Sequence, residues 1–105
     1  MGACTFGVMG RPGEKDVAKA YKELVDKALY MRGHDGYNGT ISTTHGVKVV
    51  QAKPVKQDQI TAIEEPYLDG KDPEIEKWQK AGAIAVAGND GHAFSRWYFF
   101  GWAAS

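Results

Sequence analysis

Between Arg32 and Gly46 the chain sets two histidines, an aspartate, an asparagine and five hydroxyl groups among four glycines. Glycine lets backbone amides approach a ligand closely, and the intervening side chains supply both donors and acceptors. The chemistry that suits this composition is capture of an anionic or nucleotide-like small molecule. Arg32, His34, Lys48 and Arg96 are the cations that can meet a phosphate. Amides near Gly36 and Gly39 add donors, Asn38 and Thr40 add side-chain polar groups, and Tyr37 or Trp78 can stack on a base. The same residue types also build ordinary turns and helix ends, where Arg32 would be a favourable last-turn cation.

Two catalytic readings compete with binding. His34, Asp35, His45, Asp90 and His92 form a histidine–carboxylate set of the kind that holds zinc, manganese or iron in a small metal-dependent hydrolase. No pair among them has zincin spacing, and Asp, Asn and His are equally at home in turns. Cys4 with a histidine would make a nucleophilic dyad, but no family signature surrounds it, and it sits inward on an expected strand. The glycine pattern from Gly33 to Gly39 follows a helix and opens a strand, the reverse of a dinucleotide-binding fingerprint, so a Rossmann site is rejected. The balance favours a protein without catalytic residues, metal or cofactor.

The elements that must position these residues are read from periodicity. Residues 3–9 alternate, with Cys4, Phe6 and Val8 on one face, and predict a strand. Residues 14–31 predict the longest helix, with Val17, Tyr21, Leu24, Ala28 and Met31 in one apolar stripe and Val25 and Leu29 beside it. Thr40–Thr43 and Val47–Gln51 read as a hairpin around Thr44-His45-Gly46, closed by Pro54. Residues 57–65 read as a short helix with Ile60 and Ile63 inward, ended by Pro66. Residues 67–71 read as loop, and Asp72-Pro73 opens a further short helix through Trp78. Ala83–Ala87 and Ala93–Ala104 are strands around the turn Gly88–His92. The expected fold is a single two-layer α+β domain over residues 1–105. Its antiparallel or mixed sheet carries one long and one or two short helices on one face, in a ferredoxin-like arrangement with an extra strand as one form.

The last strand is the richest in large apolar groups. Trp97, Tyr98, Phe99, Phe100 and Trp102 put aromatic rings on both of its sides. Either both faces are covered or one meets a partner. On surface grounds Trp97, Tyr98, Phe100 and Trp102 are the expected contact of a homo-oligomer, most simply a dimer.

Composition bounds the setting. The 105 residues carry thirteen basic and thirteen acidic side chains, a net charge of zero, which gives no electrostatic footprint for nucleic acid or an anionic membrane. One cysteine excludes an internal disulfide. No run of membrane-spanning length or secretory leader is apparent, so Asn38-Gly39-Thr40 reads as a turn rather than a glycosylation site, and a cytoplasmic setting is expected.

Three stretches carry a resemblance. Gly36-Tyr37-Asn38-Gly39-Thr40-Ile41, the segment from Asp72-Pro73 to Trp78 leading into Ala81–Ile84, and the ending Tyr98-Phe99-Phe100-Gly101-Trp102-Ala103-Ala104-Ser105 resemble small uncharacterised proteins of tailed phages and prophages. The resemblance spans most of the chain and implies a compact accessory protein made during infection, acting in the host cytoplasm. Proteins of that kind often sequester a ligand or block a host protein. It implies no catalytic roles. The expected function is therefore a small non-enzymatic binding protein, with the hydrolase and a self-assembling accessory protein as the alternatives.

Overall fold

The structure is a computed structural model that describes residues 3–32, 40–75, 79–88, 91 and 93–104, with backbone alone at Arg32 and Ser42. Four strands and two helices follow in the order β1 (Ala3–Met9), α1 (Val17–Arg32), β2 (Val47–Val55), α2 (Ile60–Leu68), β3 (Ala81–Ala87) and β4 (Phe94–Ala104). The strands form one sheet in the order β1-β4-β3-β2. β4 is antiparallel to both β1 and β3, whereas β2 runs parallel to β3.

Helix α1 starts three residues later than its periodicity predicts. The Asp16 carboxylate accepts the N–H groups of Ala18 and Lys19 at 3.0 and 3.3 Å, which makes Asp16 the cap and leaves Glu14 and Lys15 outside. The apolar stripe of Val17, Tyr21, Leu24, Val25 and Ala28 packs on Ala83, Ala85, Trp97 and Phe99. Ala20, outside the expected stripe, is 1% exposed, while Met31 at the end of that stripe is 68% exposed.

The α+β class, the mixed sheet and the pairing of one long helix with one short helix are as the sequence predicts. The placement of the helices on one face is not. Successive strand residues point to opposite faces. Ala83 and Ala85 belong to the cluster under α1, while Ile84 and Val86 belong to a second cluster with Ile60, Ile63, Tyr67 and Leu68 of α2. The helices thus cover opposite faces, and all seven residues of β3 are buried.

The 40–55 region also departs from the expected hairpin. Ile41–Thr43 is a turn of 3-10 helix, not a strand. Thr43 Oγ1 donates to the Thr40 carbonyl at 2.9 Å and Thr44 Oγ1 to the Ile41 carbonyl at 2.6 Å. These hydroxyls satisfy locally the carbonyls that a strand would offer to a neighbour. The remaining strand, β2, runs on through Pro54, which an edge strand tolerates. The resulting order βαβαββ, with four strands among the described residues, is not the ferredoxin-like βαββαβ.

Helix α2 likewise runs past Pro66 to Leu68. The proline withdraws only the donor that would reach Ala62. The turn beyond it is closed by Asp69 N–H to the Glu65 carbonyl and Lys71 N–H to the Pro66 carbonyl, both at 3.0 Å. Residues 72–75 form a turn in which Asp72 Oδ1 accepts the Glu74 N–H at 3.0 Å. The rest of the helix expected there, through Trp78, lies outside the described residues.

Candidate functional site

β1 and β2 both run parallel to β3, because β1 and β3 are each antiparallel to β4. The carboxyl ends of three strands therefore meet the start of β4 at one end of the sheet. From there the chain leaves β1 for α1 on one face and leaves β2 for α2 on the other. In open sheets with parallel strands, ligand crevices form at such divergences.

A cleft of about 480 Å³ opens at this end, lined by Met9, Lys56, Gln57, Val86, Ala87, Gly88, Gly91, Ser95 and Arg96. Each side chain is delivered by a specific local feature. The Val55–Val86 register brings Lys56, the first residue after β2, beside the end of β3. A register shift between Val86 and Ala87 marks the bulge at which Ser95 lies. Gly91, at φ +76°, leaves the space in which the Lys56 stem lies: a Cβ there would stand 3.0 Å from Lys56 Cε.

Arg96 is half-buried, and its Nε–H donates to the Gly10 carbonyl at 2.9 Å. That carbonyl is held in place because Gly10 N–H donates to the Trp97 carbonyl and Gly13 N–H to the Ser95 carbonyl, both at 2.7 Å. The bond orients the guanidinium and leaves its terminal N–H groups as a fork. Neither Arg96 nor Lys56 joins any of the ion pairs found among the described residues. The described lining includes no carboxylate, imidazole or thiol; its polar groups are the Lys56 and Arg96 cations, the Ser95 hydroxyl and the Gln57 amide. A second cleft of about 300 Å³ shares Met9 and Arg96 with it and continues past Gly10, Arg11, Glu23, Leu24 and Lys27.

Of the residues expected from sequence to form one site, Lys48 and Arg96 are described with their side chains and are not gathered in one place. Arg96 lines the cleft. Lys48 lies at the other end of the sheet, opposite Gly82, whereas Arg96 is opposite Val86. Four residues along β3 separate them by about 13 Å. Lys48 is also engaged by carboxylates, its Nζ lying 2.5 Å from Asp72 Oδ2 and 2.6 Å from Glu74 Oε2. The bond to Asp72, then that to Glu74, raises the Lys48 pKa well above the ordinary lysine range and lowers those of both carboxyls. Lys48 thus fastens the 72–74 turn to β2.

Thr40 stands at the entry to the 3-10 turn with its carbonyl taken by Thr43. Arg32 ends α1. His34, Asp35, Gly36, Tyr37, Asn38, Gly39, Trp78, Asp90 and His92 lie outside the described residues. Of the metal-ligand set only His45 is described, with its backbone N–H donating to the Gln79 carbonyl at 2.9 Å. Cys4 is half-buried on β1, opposite Ala103.

The aromatic strand is covered by its own chain. β4 is a central strand. Phe100 is fully buried and Trp97 is 8% exposed, its Nε1–H donating to the Lys15 carbonyl at 3.0 Å. Tyr98 donates to Glu64, and Trp102 Nε1–H donates to the Leu68 carbonyl at 3.0 Å. The surface argument for self-association through Trp97, Tyr98, Phe100 and Trp102 thereby loses its premise, because α1 and α2 cover both sides.

Lys56, Gln57 and Ser95 were not among the expected site residues. The signal that would have found them is the parallel pairing of β2 with β3, which a mixed sheet allows but the expected 40–51 hairpin does not point to. Among the described residues no helix is long and apolar enough to cross a membrane. No family model, curated protein or solved structure matches the chain.

Proposed function

We propose that the protein is a small non-enzymatic binding protein that captures a small anionic molecule, phosphate-bearing or nucleotide-like, in the cleft at the carboxyl ends of β1, β2 and β3. The observation that carries this reading is the juxtaposition of Arg96 and Lys56, without a carboxylate opposite them among the described residues, in a cleft of about 480 Å³. An oriented guanidinium fork with an ammonium beside it suits an oxyanion, and the Ser95 hydroxyl and Gln57 amide can complete its hydrogen bonds. The volume is in the range of small-molecule sites. The described lining pairs the Ser95 hydroxyl with no imidazole or carboxylate that would activate it, which favours binding over catalysis. The resemblance to small phage and prophage proteins supports a setting in an infected cell's cytoplasm, where such a protein would sequester its ligand.

Calorimetric titration with inorganic phosphate, pyrophosphate and nucleoside phosphates tests the proposal. Binding is expected for at least one of these probes. Arg96→Gln and Lys56→Gln each weaken it by about tenfold or more, as loss of one charge-assisted bond would. Lys22→Gln, on the exposed face of α1, leaves it unchanged. No binding of any probe, or equal affinity in the Arg96→Gln variant, would refute it.

A further inference from the structure

The two clefts that meet at Arg96 carry more positive charge than one small oxyanion requires. Met9 and Arg96 line both. Lys56 stands in the larger, and Arg11, Lys27 and one carboxylate, Glu23, stand in the smaller. Their described linings thus set four cations against one anion, in a chain whose net charge is zero. A local surplus of this kind in a concave surface draws anions to it.

The ion pairs show which of these charges is available. Glu23 and Lys27 stand four residues apart on α1, in the order that favours pairing along a helix. The structure commits Glu23 elsewhere: its Oε1 lies 3.3 Å from Arg11 Nη2, and the same guanidinium nitrogen lies 2.9 Å from Glu14 Oε2. Arg11 and Glu23 therefore offset each other. Lys27 joins none of the ion pairs found among the described residues. The smaller cleft so adds one uncommitted ammonium to the Arg96 fork.

We infer that the two clefts hold one extended ligand, a chain of two or more phosphates, with one phosphate on Arg96 and Lys56 and a further one reaching Lys27. This rests on the reading of the larger cleft as an anion site and deepens it. Arg96 is the pivot, because its Nε–H is spent on the Gly10 carbonyl and its terminal N–H groups remain for a ligand where the clefts meet. A single phosphate can occupy the fork and one ammonium, and leaves Lys27 unused. A phosphate chain engages all three cations, and Glu23, held by Arg11, opposes it little.

Calorimetric titration of the full chain with inorganic phosphate, pyrophosphate and tripolyphosphate, at one ionic strength, tests the inference. Affinity is expected to rise about tenfold or more from phosphate to tripolyphosphate, as one added charge-assisted contact would give. Lys27→Gln removes most of that rise and leaves phosphate binding unchanged, whereas Arg96→Gln weakens all three. Lys22→Gln deletes the same charge from an exposed position of α1 and keeps the rise, which separates contact from general attraction. A nucleoside triphosphate identifies the carrier: binding tighter than tripolyphosphate assigns the chain to a nucleotide, and equal or weaker binding assigns it to inorganic polyphosphate, either of which supports the inference. Circular dichroism establishes that each variant is folded. Arg96-dependent phosphate binding that does not tighten with chain length, or a Lys27→Gln variant that keeps the full rise, would overturn the inference and leave the anion site standing. No binding of any probe would remove both.

Discussion

Tyr98 Oη donates a hydrogen bond to Glu64 Oε2 at 2.8 Å, tying the central strand β4 to α2 across one face of the sheet. Burial, and then the neighbouring Glu64 carboxylate, push the phenol pKa well above the ordinary tyrosine range. The folded state therefore holds this proton more tightly than the unfolded chain does. Its contribution is complete below the ordinary phenol pKa, about 10, and is lost as pH rises beyond it. Tyr98→Phe is expected to cost about 1 kcal/mol at neutral pH, a modest value because the pair is only part-buried. The variant should also lose stability less steeply than the parent above pH ~10. Urea unfolding across that range measures both effects, and parallel pH profiles would contradict the assignment.

Gly7, Phe100 and Gly82 form one row across β1, β4 and β3. The Phe100 ring occupies the space above Gly82: a Cβ there would overlap the ring and stand within 2.5 Å of Cε1. Gly82→Ala is expected to cost about 3 kcal/mol through this overpacking. Gly88→Ala, whose nearest neighbour would be Ser95 Cβ at 3.7 Å, should be neutral or stabilising by about 0.5 kcal/mol. Thermal unfolding of the two variants side by side checks the contrast.

Asp16 caps α1 through two backbone N–H groups. Asp16→Ala should cost about 1 kcal/mol, and Asp16→Asn should recover most of it, because the amide oxygen can accept the same bonds. Denaturant midpoints report the loss, and equal stability of the alanine variant and the parent would place the helix start elsewhere.

The ion pairs of Lys48 give an acid-dependent contribution. Lys48 holds the Asp72 and Glu74 carboxyls below their ordinary range, and Lys80 also lowers Glu74. Their contribution is complete above the unfolded carboxylate values, near pH 4, and is lost as pH falls through the lower folded-state values. The stability difference between parent and Lys48→Met should thus be constant around neutral pH and shrink below pH ~4. A difference that persists unchanged into acid would show that Lys48 acts through its aliphatic stem.

The elements readable from sequence were those whose pattern is long. β1, α1 and β4 have seven or more residues each, and their neighbours only had to cover the faces already marked as apolar. Within 40–55 the strand Val47–Gln51 is present as part of β2, but Thr40–Thr43 is not a strand: β-branched Thr40, Ile41 and Thr43 fit one by type, while the hydroxyls of Thr43 and Thr44 satisfy the carbonyls of Thr40 and Ile41. That error carried into the site. With a hairpin in place of a parallel β2–β3 pair, Lys56 has no reason to approach Gly88, and Arg96 is the one residue of the cleft that its own chemistry singles out. Helix placement was hidden for a related reason: β3 is apolar at every position, so period alone does not reveal that two faces are covered.

The adjacency of β1 and β4 has a kinetic consequence. Ala3 faces Ala104 and Met9 faces Tyr98, so among the described residues the first strand pairs only with the last. During synthesis β1 emerges first and stays unpaired until nearly the whole chain has followed, whereas β3 and β4 are neighbours joined by a short turn. Closing so long a loop is entropically dearer than closing the local hairpin, and contacts of large sequence separation slow folding. The sheet is expected to assemble from its β3–β4 hairpin outward, with β1 docking last, and refolding to proceed in milliseconds to seconds rather than microseconds.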